Sequence, residues 1–154
     1  MGDDEIASAA LPPAIARVLA RFRAMGREEK MQALVHYSKK LEPVPERFLT
    51  LDRATYGVPE CQTRVDLFPD ERGGTLHFYA DLDARQSPTV AAFLAILFSS
   101  INDRPASVTL AIPSDYVHQL MSGIGLSGRE AGLSAMVARI KAYAKIAAGG
   151  RPAT

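Results

Sequence analysis

Apolar residues recur along this chain in different rhythms, and the rhythms divide it into segments. Ile15, Val18, Leu19 and Phe22 fall at i, i+3, i+4 and i+7, the spacing that gathers side chains on one face of a helix. Leu11-Pro12-Pro13 precedes them, and proline suits a first helical turn; Gly26 supplies a stop. Glu28 and Glu29 then open a second helix at the positive end of its macrodipole. Met31, Leu34, Val35 and Leu41 are its predicted apolar face, with Tyr37 on the flank. Two amphipathic helices joined by one glycine predict an antiparallel hairpin. From Glu42 to Thr63 no period survives, because Pro43, Pro45, Gly57 and Pro59 interrupt every helical window. Irregular stretches of that length are uncommon in compact domains and are often functional. Phe48, Leu49, Leu51, Tyr56 and Val58 could pin this one to the body.

The rhythm then changes to two. Arg64 to Phe68 alternates, with Val65 and Leu67 on one side and Arg64 and Asp66 on the other. Pro69 to Gly74 predicts a turn. Thr75 to Leu82 alternates again, with Leu76, Phe78, Ala80 and Leu82 inward and His77, Tyr79 and Asp81 outward. This is the pattern of a β-hairpin with one buried face. Ser87 and Pro88 suit the N-cap and first position of a helix. That helix is apolar nearly all round through Val90, Phe93, Leu94, Ile96, Leu97, Phe98 and Ile101, as a core helix should be. Val108 to Ile112 is too short for periodicity to separate a third strand from a helical turn. Ser114 or Asp115 caps a brief helix through Met121. Ser127-Gly128-Arg129-Glu130 fits a capping box; Leu133, Met136, Val137 and Ile140 form the face of the last helix, and Gly149-Gly150 stops it. The predicted fold is α+β: a small antiparallel sheet of two to three strands packed on one side by about five helices. Residues 1–10 and 149–154 read as flexible tails around a single domain over 11–148.

Composition narrows the function classes. With 18 basic against 17 acidic residues, the chain shows no charge excess of the kind that marks nucleic-acid or anionic-membrane partners. The longest apolar run, Val90 to Phe98, falls well short of the roughly 20 residues that span a bilayer. Met1-Gly2-Asp3-Asp4-Glu5 is acidic where a secretory signal is basic. A single cysteine excludes an internal disulfide framework and fits a reducing compartment. These features predict a cytoplasmic protein.

Metal binding finds little support, since Cys61, His36, His77 and His118 are not within ligand spacing of one another. Gly123-Ile124-Gly125-Leu126-Ser127-Gly128 carries the glycines of G-x-G-x-x-G but follows a helix where that motif follows a strand. Cys61 is the remaining candidate. It ends the proline-punctuated segment, and Glu60, Gln62, Thr63 and Arg64 around it are polar. Free cysteine is among the most buried residue types and can act as a small apolar filler, but polar neighbours favour a reactive thiol. Thiolate chemistry draws on cations and helix N-termini. Arg64 is near in sequence, on a strand whose alternation can turn it away, and Arg129 stands in the first turn of the last helix. No histidine is near in sequence, which suits a thiol that accepts or carries a group better than a Cys–His hydrolase. A thiol enzyme drawing on His36, His77 or His118 as base is the alternative.

The stretches Val58-Pro59-Glu60-Cys61-Gln62-Thr63-Arg64-Val65, Tyr79-Ala80-Asp81-Leu82-Asp83-Ala84, the apolar helix at Val90–Phe98, and Leu126-Ser127-Gly128-Arg129-Glu130-Ala131-Gly132-Leu133 resemble, in order, the SufE family of sulfur-acceptor proteins associated with iron–sulfur cluster assembly. The family usually has Gly-Cys-Gln-Ser at the cysteine; here Glu60 replaces the glycine and Thr63 the serine. The resemblance implies a SufE/IscU-like fold and a persulfide acceptor at Cys61, with Arg129 stabilising an anion or contacting a partner. It implies a sulfur-transfer partner rather than an independent enzyme, with no cofactor or metal of its own. The donor would be a pyridoxal-phosphate-dependent cysteine desulfurase (SufS/CsdA-like), which the chain would stimulate. The recipient would be an iron–sulfur scaffold or another sulfur acceptor.

Overall fold

The computed structural model describes residues 11–124 and 128–149. The expected tails over 1–10 and beyond Gly149, and Ser127 of the expected capping box, lie outside the described residues. Helix α1 (Pro13–Arg23) buries Ile15, Leu19 and Phe22, following the 3.6-residue rhythm. Helix α2 (Arg27–Ser38) starts where Glu29 Oε1 accepts the Gly26 N–H at 3.2 Å. Its buried face differs from the expected one: Met31 and Val35 are 46% and 58% exposed, and Lys30 is buried beside Leu34. Lys30 Nζ donates to the Ser122 carbonyl at 2.9 Å. A lysine stem can cover apolar surface while its ammonium ends on an acceptor, so the long cation takes a place that the pattern assigned to Met31 and Val35.

Two one-turn helices, α3 (Glu46–Leu49) and α4 (Arg53–Tyr56), interrupt the period-free segment. Strands β1 (Asp66–Arg72) and β2 (Thr75–Asp81) then pair antiparallel, from Asp66 opposite Asp81 to Arg72 opposite Thr75. The turn is therefore only Gly73-Gly74, with φ +54° and +94°, the positive-φ pair of a tight hairpin. Pro69 to Arg72, expected in the turn, belong to the strand. Pro69 is tolerated there because it faces Phe78, whose backbone groups point the other way. The Phe78 N–H donates to Asn102 Oδ1 at 2.8 Å, and its carbonyl accepts from Asn102 Nδ2 at 3.1 Å. No ladder bond is lost to the missing proline donor. Asp103 N–H and Arg104 carbonyl continue this cover along Leu76, so a connection closes the outer edge of β2.

The inner face of the hairpin, Leu67, Leu76, Phe78 and Ala80, joins one large core with the long helices. At its centre lies α5 (Pro88–Ile101), buried nearly all round as its composition predicts. Residues 108–112 resolve to a helical turn and its end, α6 (Ala106–Leu110), and a short helix α7 (Tyr116–Met121) follows. Helix α8 (Glu130–Ala148) buries Leu133, Met136, Val137 and Ile140. The architecture is the α+β one, with two strands and, among the described residues, eight helices.

The second face of the hairpin is covered as well. Phe68 and Tyr79 are buried under Phe48, flanked by Val44 and Tyr56, with ring centroids 5.3–5.6 Å apart. His77, expected outward, is buried between Glu42 and Asp103. Tyrosine and histidine present apolar bodies with polar tips, so alternation reads them as exposed although a loop can bury them. No helix among the described residues is long and apolar enough to cross a membrane.

Candidate functional site

The loop that carries Cys61 is closed at its base. Val58 N–H donates to the Val65 carbonyl at 2.9 Å, and Gly57 bridges Asp66 at the start of β1. Val58 and Val65 are buried and anchor the two ends. Pro59 holds φ near its ring-imposed value, and Cys61 N–H returns to the Val58 carbonyl at 3.2 Å. The cysteine is thereby half-buried at the turn of a small closed loop.

The loop rests on the first turns of α8. A Cβ placed on Gly132 would stand 3.3 Å from Cys61 Cα and 3.5 Å from its Sγ. The glycine lets the loop lie this close; a side chain there would press it back by a few tenths of an ångström. Farther along α8, Arg139 Nη2 is 4.0 Å from Glu60 Oε1. On the other side of the cysteine, Thr63 Oγ1 lies 2.5 Å from Ser87 Oγ. Ser87 stands at the N-cap of α5 as expected, but its hydroxyl makes no cap bond; it holds the loop.

Cys61 forms a wall between two clefts. One, about 180 Å³, is lined by Glu60, Cys61, Gln62, Arg129 and Gly132 among others. The other, about 450 Å³, is lined by Ala54, Pro59, Cys61, Gln62 and Arg64 among others. Two residues singled out from the sequence, Cys61 and Arg129, thus share the smaller cleft although far apart in the chain. Arg129 is exposed at the N-cap of α8. The smaller cleft also opens on Ala131 and Gly132, in a helical turn whose N–H groups lack intrahelical acceptors and attract anions. Arg64 is on the opposite flank, 3.7 Å from the buried carboxylate of Asp66.

None of the three histidines lines either cleft. His36 and His77 line a separate cavity of about 580 Å³, where His77 meets Glu42 Oε1 at 2.6 Å and Asp103 Oδ1 at 2.9 Å. His118 is 3.7 Å from Glu130 Oε1 on the surface. Among the described residues, no group of three or more His, Cys, Asp or Glu is placed to hold a metal ion. Sequence reasoning missed Gly132, Arg139 and Ser87 as neighbours of the thiol. The one available signal was Gly132 itself, a glycine within a helical pattern, which marks close backbone approach.

These features define an α+β protein organised around one loop-borne thiol. The chain belongs to the SufE family: the Fe-S metabolism associated domain of that name matches residues 16–144. A SufE-like protein of Mycobacterium tuberculosis (strain H37Rv) is 33% identical over 139 residues, covering 88% of this chain and 94% of its own. A SufE-like protein of Synechocystis is 26% identical over 113 residues, covering 73% of this chain and 67% of its own. The solution structure of a hypothetical protein from Thermus thermophilus has the same fold, with a TM-score of 0.73 at 24% identity. That match covers 91% of this chain and 99% of the other.

Proposed function

We propose that the chain is a sulfur acceptor and carrier. It takes persulfide sulfur from a pyridoxal-phosphate-dependent cysteine desulfurase onto Cys61, stimulates that enzyme, and delivers the sulfur for iron–sulfur cluster assembly in a reducing, cytoplasmic setting. The observation that carries this reading is the placement of the chain's one thiol on the N-terminal turn of α8, in a cleft shared with Arg129.

In the transfer step, the Cys61 thiolate attacks the outer sulfur of the donor's persulfide. A sulfur–sulfur bond forms at Cys61 Sγ as the donor's own sulfur–sulfur bond breaks. The electron pair of the broken bond leaves with the donor sulfur as a thiolate, so no external oxidant or reductant enters. The product on this chain is a persulfide whose terminal sulfur is an anion. Arg129 and the N–H groups of the first α8 turn suit such an anion. The half-buried resting position shields the thiol, and the loop moves outward when the donor docks. No cofactor on this chain takes part in that step; the pyridoxal phosphate belongs to the donor.

The test is incubation with a cysteine desulfurase and free cysteine, followed by mass spectrometry. The expected result is a gain of one sulfur atom on Cys61, absent in Cys61→Ser. Absence of the adduct from the unmodified chain overturns the reading.

A further inference from the structure

Both ends of the cysteine loop are anchored by buried valines, but its middle is held by polar contacts, a part-buried hydroxyl bond and an ion pair near the surface. Glu60, just before the cysteine, faces Arg139 across 4.0 Å, with side chains 56% and 30% exposed. Thr63, two residues after it, is bonded to Ser87. Between them, Cys61 lies on Gly132. Gly132 and Arg139 are seven positions apart, two turns along one helical face. Arg139 also lies beside the Tyr143 hydroxyl; burial raises the pKa of that hydroxyl, and Arg139 partly offsets the rise. The Tyr143 ring is 6.3 Å from Tyr56, just ahead of the loop. One face of α8 therefore receives the cysteine segment along its length, and Arg139 is the only cation that pairs with the segment there among the described residues.

We propose that Glu60 and Arg139 form an electrostatic latch that seats Cys61 against α8 in the free protein. A docking partner that offers a cation to Glu60, or a carboxylate to Arg139, opens the latch and releases the thiol. Glu60 and Arg139 are positioning residues, acting through the seat of the loop. The partner's part in this rests on the sulfur-acceptor reading, whereas the latch is a property of the free chain and is tested without a desulfurase.

Charge signs separate a latch from a simple field effect. A carboxylate near a thiol disfavours its ionisation, and a guanidinium favours it. Acting through the field alone, Glu60→Gln would speed the reaction of Cys61 with iodoacetamide and Arg139→Gln would slow it. A latch is broken by either change, so both variants react faster. The expected acceleration is about two- to fivefold, the range of an exposed ion pair. High salt should speed the wild type and leave the single variants nearly unchanged. The charge-swapped E60R/R139E restores the pair and should return to the slow rate, where the field of a cation at position 60 would instead make it faster.

Alkylation rates of the full chain, at low and high salt, are the measurement, with thermal melts alongside. Should Arg139→Gln fail to fold, Glu60→Gln and the charge swap still decide. Opposite changes in the single variants, no change in either, or a fast charge-swapped protein overturns the latch. The two proposals fail separately: a chain with these rates but no sulfur adduct loses only the acceptor role, and one with the adduct but without these rates loses only the latch.

Discussion

Replacing Gly132 with alanine sets two effects of similar size against each other. In an unhindered helix the change stabilises by about 0.5–1 kcal/mol, because glycine loses more backbone freedom on folding. Here the new methyl would lie 3.3 Å from Cys61 Cα and 3.5 Å from its Cβ and Sγ. Non-bonded carbons rest at roughly 3.5–4.0 Å, so the loop must retreat by a few tenths of an ångström. In a rigid core such crowding costs about 1–3 kcal/mol. The middle of this loop is held by an exposed ion pair and one hydroxyl bond, so it yields toward the low end of that range.

The expected net effect on Gly132→Ala is a loss of about 0–1 kcal/mol, within roughly 2–4 °C of the wild-type Tm for a chain of this size. Displacement of Cys61 should show more clearly than the stability change. Iodoacetamide labelling should quicken in Gly132→Ala and quicken further in Gly132→Val, while the far-UV spectrum is unchanged. A Tm that rises by the full helix-propensity gain with labelling unaltered would refute the close approach, because the methyl would then have found open space.

Two further outcomes follow from contacts outside the loop. Asn102→Ala removes the amide that serves both backbone groups of Phe78; leaving them unmet beside a buried residue should cost about 1–3 kcal/mol, read as a lower urea midpoint at unchanged m-value. Tyr116 is fully buried, and among the described residues its hydroxyl meets no well-formed hydrogen-bond partner, with Ser100 the polar side chain near it. Burial raises its pKa above the ordinary tyrosine value, a shift that the nearby Ser100 partly offsets. The unfolded chain therefore releases this proton near pH 10 while the folded chain keeps it. The stability associated with that proton is intact below pH 10 and falls as pH rises beyond, by up to about 1.4 kcal/mol per pH unit. Tyr116→Phe should match the wild type within about 0.5 kcal/mol at neutral pH and lose this alkaline decline in pH-dependent denaturant melts.

The readable parts of the fold are those where side chains differ strongly in transfer free energy. Ile15, Leu19 and Phe22, the apolar length of α5, and Leu133, Met136 and Ile140 are buried where their spacing puts them. The pattern fails where polarity and location separate. Lys30 is buried because its ammonium finds the Ser122 carbonyl, while Val35 on the same helix is exposed. Pro69 is a strand residue because Asn102, remote in sequence, takes the bonds of its opposite partner. Tyr79 and His77 sit on the second face of the hairpin, and the folded path of residues 42–58, with Asp103 beside His77, covers it. A period-free segment carries no pattern to announce such a path.

The site divides along the same line. Cys61 stands out in the sequence as the one thiol among polar neighbours, and Arg129 through the motif around it; the fold brings both to one cleft. Gly132, Ser87 and Arg139 acquire their relation to the thiol only through tertiary contact, which local spacing does not encode. The change of meaning is largest at Glu60. Read along the chain, it is a carboxylate set beside the one cysteine. In the folded chain the carboxylate faces Arg139, so the added negative charge has a partner on the helix that carries Gly132. A glycine at position 60 would remove that pairing and add backbone freedom at once. The residue before the thiol and the cation two turns along α8 therefore act as one structural choice: a more tightly seated cysteine loop, whose opening depends on a charged surface being presented to it.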